Sequence, residues 1–154
     1  VIHRDLAARN ILITSSWKPK VSDFGLSRVV LDNASAGKTQ ATVGPIKWMA
    51  PEALLEKLYN TKTDVWSFGV VIYEVLVRKN PYYDHDAMQV GTKVALGKLN
   101  LVEEIQKEED VGSYPEMLMG LMQQCLRYNG MERPEFQQII DIMDAKPSTS
   151  EFVE

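Results

Sequence analysis

Two side chains near the start of the chain have types and a spacing that could perform chemistry together. Asp5 and Asn10 lie five positions apart in the segment His-Arg-Asp-Leu-Ala-Ala-Arg-Asn, residues 3–10. A carboxylate on a short loop can accept the proton of a hydroxyl group, and a nearby amide oxygen is a ligand for a hard cation such as magnesium. The pair therefore predicts a site that activates a hydroxyl beside a bound metal.

A further oxygen ligand follows thirteen positions after Asn10, in the triplet Asp23, Phe24 and Gly25. Two short apolar runs, residues 10–13 and 20–22, flank a turn-forming segment and predict a small β-hairpin. Such a hairpin would return the chain so that Asp23 lies beside Asn10. A hard carboxylate is a suitable ligand for magnesium, so Asp23 is a second candidate ligand beside Asn10.

The remaining chain is predicted to be mainly helical. Residues 26–49 show no clear period, so we expect a long irregular loop there. Thr61 and Asp64 form a plausible capping box for a long helix that is apolar on nearly all sides and belongs in the middle of the core. Val75 is expected on its main apolar face. The acidic stretch 103–110 is expected to be a solvated loop or helix face. Helices are predicted over residues 53–57, 61–79, 87–96, 115–126 and 134–143.

These segments resemble the catalytic domain of eukaryotic protein kinases. Residues 3–10, hereafter the N-terminal loop, are similar to the catalytic loop of that family, residues 23–25 to its metal-binding triplet, and residues 50–52 to the end of its activation segment. The resemblance implies a mainly α fold, the C-terminal lobe of a kinase domain. In that lobe a short β-hairpin and the activation segment precede a helical bundle around a buried central helix. This incomplete domain is expected to cover residues 1–145, with a polar tail at 146–154.

The resemblance also assigns roles to individual side chains. Asp5 would accept the proton of the substrate hydroxyl, and Asn10 and Asp23 would hold Mg2+, with Mn2+ as an alternative, on bound ATP. Structural roles fall to His3, Phe24, Gly25, Glu52, Asp64 and Arg133.

Two of these structural roles have plainer alternatives. In the kinase family the residue matched by Asp64 anchors the backbone of the catalytic loop, although a helix-capping carboxylate would look the same in the sequence. Arg133 matches the arginine that pairs with the residue corresponding to Glu52, whereas an isolated arginine would be a surface charge. We expect Asp64 to anchor the N-terminal loop and Arg133 to form a buried ion pair.

Two features favour the tyrosine-kinase branch of the family. Serine/threonine kinases carry a lysine two positions after the catalytic aspartate, where this chain has Ala7, and receptor-type tyrosine kinases carry an arginine where it has Arg9. The resemblance makes Arg9 a catalytic residue that stabilises the charge of the transferring group. It also implies a substrate platform, hereafter the platform segment, formed by Pro45, Ile46, Lys47 and Trp48.

The expected activation loop lacks the tyrosines that the tyrosine branch usually carries there. Residues 26–49 contain no tyrosine, and we expect Thr39 or Thr42 to be the phosphorylated switch, with Arg4 as the partner of the phosphate. The alternative is a loop that is active without modification. A serine/threonine or dual-specificity kinase is a second interpretation of the chain, and a pseudokinase or truncated binding module is a third.

Composition places the chain among intracellular globular domains. Of its 154 residues 45% are hydrophobic and 25% charged, and the net charge of −4 gives no basic surface for nucleic acid. The lone Cys125 excludes an internal disulfide and fits a reducing compartment. No apolar run reaches the roughly 18 residues that span a bilayer. We expect a cytoplasmic location, or the cytoplasmic side of a membrane receptor, without membrane contact from this segment.

The start of the chain indicates a fragment. It opens on Val1 without a leader sequence, and it lacks the glycine-rich loop and the strand lysine of a complete kinase domain. We therefore expect a parent protein that carries the missing N-terminal lobe. The parent would be an ATP- and magnesium-dependent kinase of protein substrates with a tyrosine, or a serine or threonine, acceptor. The fragment alone is expected to be inactive.

Overall fold

A β-hairpin follows the N-terminal loop in the computed structural model, which describes residues 1–24 and 45–145. Strand β1, Ile11–Ile13, pairs antiparallel with β2, Pro19–Val21, and the turn between them is closed by a 2.9 Å hydrogen bond to the carbonyl of Thr14. Branched apolar side chains in β1 favour the extended backbone. The predicted hairpin is confirmed, with each strand within one residue of its predicted bounds.

Some predictions fall outside the described residues. They concern the polar tail 146–154, most of the irregular loop, and the individual residues Gly25, Thr39 and Thr42. These stay predictions.

Helices are the predominant regular structure of the described residues, which confirms the mainly α fold. None of the helices in these stretches is long and apolar enough to span a bilayer. Short 3-10 turns are Ala8–Asn10, Ile46–Trp48, Ile105–Lys107, Val111–Ser113 and Gly130–Glu132. The α-helices are α1 Pro51–Glu56, α2 Thr61–Val77, α3 Ala87–Ala95, α4 Leu101–Glu104, α5 Glu116–Cys125 and α6 Phe136–Asp144.

Helix α2 runs through the centre of the core, as the sequence predicted. Val65 and Trp66 are buried, and α5 packs across the helix at Gly69, where a Cβ atom would lie 2.8 Å from the Cβ of Cys125. Val75, predicted to lie on the buried face, is instead 61% exposed. At 100° per residue Val75 lies about 120° around the helix from Gly69, on a side that α5 does not cover.

The cap of α2 differs from the predicted one. Asn60, not Thr61, is the N-cap: its side chain accepts the backbone N–H of Thr63 at 3.1 Å, and the Thr63 hydroxyl accepts the N–H of Asn60 at 3.1 Å. The capping box therefore begins one residue earlier than predicted. This shift leaves the Asp64 carboxylate for another partner.

The acidic stretch 103–110 is only partly the solvated segment that was predicted. Helix α4 continues directly into the 3-10 turn Ile105–Lys107, and Leu101 and Ile105 are fully buried. Ile105 within the stretch and Leu101 just before it thus anchor the segment to the core, while side chains such as Glu103 remain exposed.

Candidate active site

Asp64 anchors the N-terminal loop to the first turn of α2. The backbone N–H of His3 donates to Asp64 Oδ2 at 2.7 Å, and that of Arg4 donates to Oδ1 at 3.0 Å. Burial raises the pKa of this carboxyl above its ordinary value, although the two amide donors favour the ionised form. Arg4 has a left-handed backbone, with φ of 72°, so we infer that these bonds hold a strained turn.

Asp5, Arg9 and Asn10 come together at the end of the N-terminal loop. The side-chain nitrogen of Asn10 donates to the backbone carbonyl of Asp5 at 2.7 Å and to its Oδ2 at 3.1 Å. The other carboxylate oxygen, Oδ1, forms an ion pair with the Arg9 guanidinium. Each oxygen of the carboxylate is therefore oriented by a donor, and the group remains partly accessible.

His3 connects the N-terminal loop to the end of the hairpin. Its Nε2 lies 2.9 Å from the carbonyl oxygen of Ser22, and its Nδ1 lies 3.2 Å from the backbone nitrogen of Asp5. A carbonyl can only accept and an amide N–H can only donate, so these partners fit the tautomer protonated at Nε2. The ring also meets Phe24 edge-on, with 5.0 Å between the ring centroids.

The hairpin returns Asp23 to the neighbourhood of Asn10. The backbone N–H and the hydroxyl of Ser22 donate to the Asn10 carbonyl at 2.8 and 3.1 Å, and Asp23 follows directly with a left-handed φ of 61°. Since the Asn10 nitrogen is bound to Asp5, the side-chain oxygen of Asn10 is the atom that can face a cation. An amide and a carboxylate oxygen are hard donors, and the residues present therefore fit magnesium.

The platform segment lies beside the N-terminal loop. Its last three residues form the 3-10 turn, with Pro45 as the N-cap, and the Lys47 ammonium donates to a backbone carbonyl after α2 at 2.8 Å. The Arg9 guanidinium lies over the Trp48 ring, 4.5 Å from its centroid. The structure thus brings together two residues that the sequence associated with the acceptor.

Glu52 and Arg133 form a buried ion pair at the start of α1. The guanidinium donates to Glu52 Oε1 at 2.6 Å and to Oε2 at 2.9 Å. Its three other N–H groups donate to the carbonyls of Arg127, Lys62 and Tyr128 at 2.8 to 3.0 Å. The Arg133 side chain is 0% exposed, and each of its five donors has an acceptor.

Arg4, predicted to bind a phosphate on the activation segment, lies next to an aromatic ring. Its guanidinium is 4.2 Å from the centroid of Tyr59, within the range of a cation–π contact. The residues proposed to carry the phosphate, Thr39 and Thr42, lie outside the described stretches. The regulatory role of Arg4 therefore stays a prediction.

Sequence reasoning missed Glu74, which joins two parts of the site. Its Oε2 accepts the backbone N–H of Ala8 and the indole N–H of Trp48, each at 2.9 Å. The available signal was an acidic residue inside the mostly apolar, buried part of α2 that follows Asp64. Such a residue requires polar partners, but the sequence does not identify them.

Comparisons with known proteins agree with this geometry. A family model for protein tyrosine and serine/threonine kinases matches residues 1–143. Ephrin type-A receptor 8 of Homo sapiens is 41% identical over 148 residues, which cover 94% of this chain and 14% of that receptor. Fibroblast growth factor receptor homolog 1 of Drosophila melanogaster is 36% identical over 152 residues, covering 97% of this chain and 20% of the receptor. The chain therefore spans a fifth or less of the length of these relatives. It belongs to the protein tyrosine and serine/threonine kinase family.

Proposed function

We propose that the protein carrying this chain is a protein kinase that transfers the γ-phosphate of ATP to a protein hydroxyl, preferentially that of tyrosine. The observation that carries the proposal is the carboxylate of Asp5, held by the Asn10 amide on one oxygen and by the Arg9 guanidinium on the other. Phosphoryl transfer depends on positioning and on electrostatic stabilisation. The fixed carboxylate positions the acceptor hydroxyl, and the Arg9 cation beside it supplies the positive charge.

In this proposal each of the three side chains has one task. Asp5 accepts the proton of the acceptor hydroxyl, and Asn10 keeps the carboxylate in its rotamer through the bond to Oδ2. Arg9 supplies positive charge next to the acceptor. Its contact with the Trp48 ring holds that charge at the platform segment, where a peptide would bind.

Asn10 and Asp23 would hold the metal ion, magnesium or manganese in its place. When bound, the metal neutralises the negative charge of the nucleotide phosphates. The Ser22 bonds to the Asn10 carbonyl support this assignment because they fix the start of the metal-binding triplet relative to the N-terminal loop.

The choice of acceptor rests on Ala7 and Arg9. Ala7 is fully buried and offers no charge at the position where serine/threonine kinases carry lysine, whereas the Arg9 cation lies further along the loop, beside Trp48. That placement supports an acceptor that reaches further from the peptide backbone, as a phenol does. A serine/threonine or dual-specificity enzyme is the second candidate, favoured by the absence of tyrosine from residues 26–49.

The activity is proposed for the longer protein. The 154 residues contain no glycine-rich phosphate loop, so we expect the chain alone to be inactive and a preceding lobe to complete the ATP site. We further propose that the protein substrate is met in the cytoplasm or on the cytoplasmic side of a membrane receptor.

The test is transfer of labelled phosphate by the full-length protein to two peptides. One peptide has tyrosine as its sole hydroxyl acceptor, and the other has only serine and threonine. We expect transfer to tyrosine, and a decrease of about 10²- to 10⁴-fold in Asp5→Asn because the base is lost. The matched control is Asp110→Asn, an exposed aspartate remote in sequence from the loop, which should leave the rate unchanged.

The other outcomes separate the candidates. Transfer only to serine and threonine would retain the kinase and overturn the acceptor assignment of Arg9. A folded protein that transfers phosphate to neither peptide would overturn the enzyme and favour a binding module.

A further inference from the structure

Three side chains that can bind a metal ion converge between the connection from α2 to α3 and the end of α4. Asp84 and His85 belong to that connection, and Glu104 is the last residue of α4. One ligand atom from each, namely two carboxylate oxygens and an imidazole nitrogen, lies within 4.8 Å of the other two. Small side-chain rotations would bring these atoms to one ion, since zinc is bound by such ligands at about 2.0–2.2 Å.

The backbone fixes His85 on both sides. Its N–H donates to the carbonyl of Tyr82 at 3.0 Å, and the same carbonyl accepts the Lys47 ammonium at 2.8 Å. Directly after His85, Asp86 is the N-cap of α3, where its side chain accepts two backbone N–H groups. The imidazole is therefore carried by a well-defined turn, which reduces the cost of ordering it on a ligand.

Glu104 is held by buried neighbours and already binds a cation. Leu101 in the same helix and Ile105, the next residue, are both fully buried, and the Glu104 side chain is 12% exposed. A carboxylate enclosed to this degree is costly without a positive partner. Its Oε1 lies 2.6 Å from the ammonium of Lys107, whose side chain is 68% exposed. Because exposed ion pairs contribute little stability, another cation can replace this ammonium at low cost.

We propose that Asp84, His85 and Glu104 form a binding site for a divalent transition-metal ion, with zinc as the expected occupant, and that the ion replaces the Lys107 ammonium at Glu104. An imidazole nitrogen together with two carboxylate oxygens suits zinc, whereas magnesium prefers oxygen ligands alone. The bound ion would link the α2–α3 connection to α4. This site goes beyond the proposed kinase function and does not depend on it.

The experiment measures zinc binding to the full-length protein by competition with a chromophoric zinc indicator. We expect the wild type to bind one zinc ion per chain more than His85→Ala, which lacks the imidazole. Asp84→Ala should weaken binding at this site about tenfold or more, since even the loss of an outer-shell partner costs about 10- to 100-fold. The Asp84 side chain is 59% exposed, so this variant should keep the fold and provides the test if His85→Ala fails to fold.

Two further variants separate ligation from general charge. Glu103→Gln removes an exposed carboxylate next to Glu104 without removing a ligand, and the affinity should stay within about threefold of the wild type. Lys107→Met removes the competing ammonium and should tighten zinc binding about two- to fivefold. Magnesium in excess should not displace the zinc, because the site contains an imidazole.

Several results would overturn the proposal. They are a wild type that binds no zinc, the same zinc content in the wild type and His85→Ala, and displacement of the zinc by magnesium. Equal weakening in Asp84→Ala and Glu103→Gln would indicate attraction by negative charge alone. An unchanged or lower affinity in Lys107→Met would contradict the exchange of the two cations at Glu104.

A second readout is the thermal unfolding of the domain that contains this chain. A ligand that binds only the folded state raises the unfolding midpoint as its concentration increases. We expect zinc to raise the midpoint of the wild type and of Glu103→Gln, and to leave those of His85→Ala and Asp84→Ala unchanged. Equal increases in all four proteins would contradict the site.

Discussion

Arg133 is a buried cation, and its effect on the stability of the fold depends on whether each of its N–H groups has an acceptor. A buried ion pair with complete hydrogen bonds adds little stability compared with apolar residues in place of both partners. Removing one partner is costly, because the other charge is then buried without a partner. Two of the five guanidinium donors bind Glu52 and three bind backbone carbonyls. Arginine is suited to this site because its planar fork matches the carboxylate.

Replacing Arg133 by methionine should therefore destabilise the domain strongly. The Glu52 carboxylate would lose both of its guanidinium bonds, and we expect the free energy of unfolding to fall by about 3–5 kcal/mol. Urea unfolding of the domain that contains this chain is the measurement. Lys107→Met, which breaks an exposed pair with Glu104, is the control and should hardly move the midpoint. Equal effects of the two substitutions would contradict the buried pair.

At the residue scale the sequence was informative where a motif fixes local geometry. Asp5 and Asn10 lie five positions apart on one loop, and their contact follows from that loop alone. Glu74 differs because its two partners are distant in the sequence, so only tertiary packing brings them together. The spacing of apolar residues along the chain carries no information about such contacts. From the sequence, Glu74 could be identified only as a polar residue in a mostly apolar helix.

At the element scale, α2 carries the site on one side of a helix that is otherwise part of the core. Asp64, Ser67 and Glu74 occupy relative positions 0, 3 and 10, which at 100° per residue fall within about 80° of one another. Asp64 holds the N-terminal loop, Ser67 the platform segment and Glu74 both. The sequence predicted the length and burial of this helix. It did not predict the shared side of Asp64, Ser67 and Glu74, because a helix that is apolar on nearly all sides shows no clear polar face.

The packing of α5 across α2 at Gly69 can be tested by substitution. A Cβ atom at Gly69 would lie 2.8 Å from Cys125 Cβ and 2.9 Å from Leu126 Cγ, so Gly69→Ala should force the helices apart and cost about 1–3 kcal/mol. Gly120→Ala is a matched control within α5, since no atom lies within 4 Å of its added Cβ. There alanine should stabilise the helix by about 0.5–1 kcal/mol. The measurement is thermal unfolding of both variants. A change in stability in the same direction for both would contradict the close contact at the crossing.

The whole molecule is organised so that loops of distant origin meet on one core. The N-terminal loop and the platform segment form hydrogen bonds to α2, and the residue after the hairpin contacts His3 of that loop. Trp48 also packs against the apolar core. The mainly α architecture was predictable because apolar periodicity and capping residues are local signals. The exact cap at Asn60 and the exposure of Val75 were not, because they depend on which neighbours α2 acquires in the folded chain.

Coupling between the N-terminal loop and the core makes the stability of the whole molecule depend on the protonation of Asp64. Burial raises the folded-state pKa above the ordinary value of 3.8, so between these two values the folded state binds more protons than the unfolded state. The contribution of Asp64 to the free energy of unfolding is therefore greatest below the ordinary value and declines as the pH rises through the raised pKa.

Other carboxylates titrate in the same range, so the effect of Asp64 is isolated by comparing the wild type with Asp64→Asn, which cannot titrate at this position. We expect the wild type to lose stability relative to this variant as the pH rises through the window, measured by urea unfolding at a series of pH values. A difference that grows in the opposite direction would mean that the His3 and Arg4 amides outweigh burial and hold the carboxylate ionised.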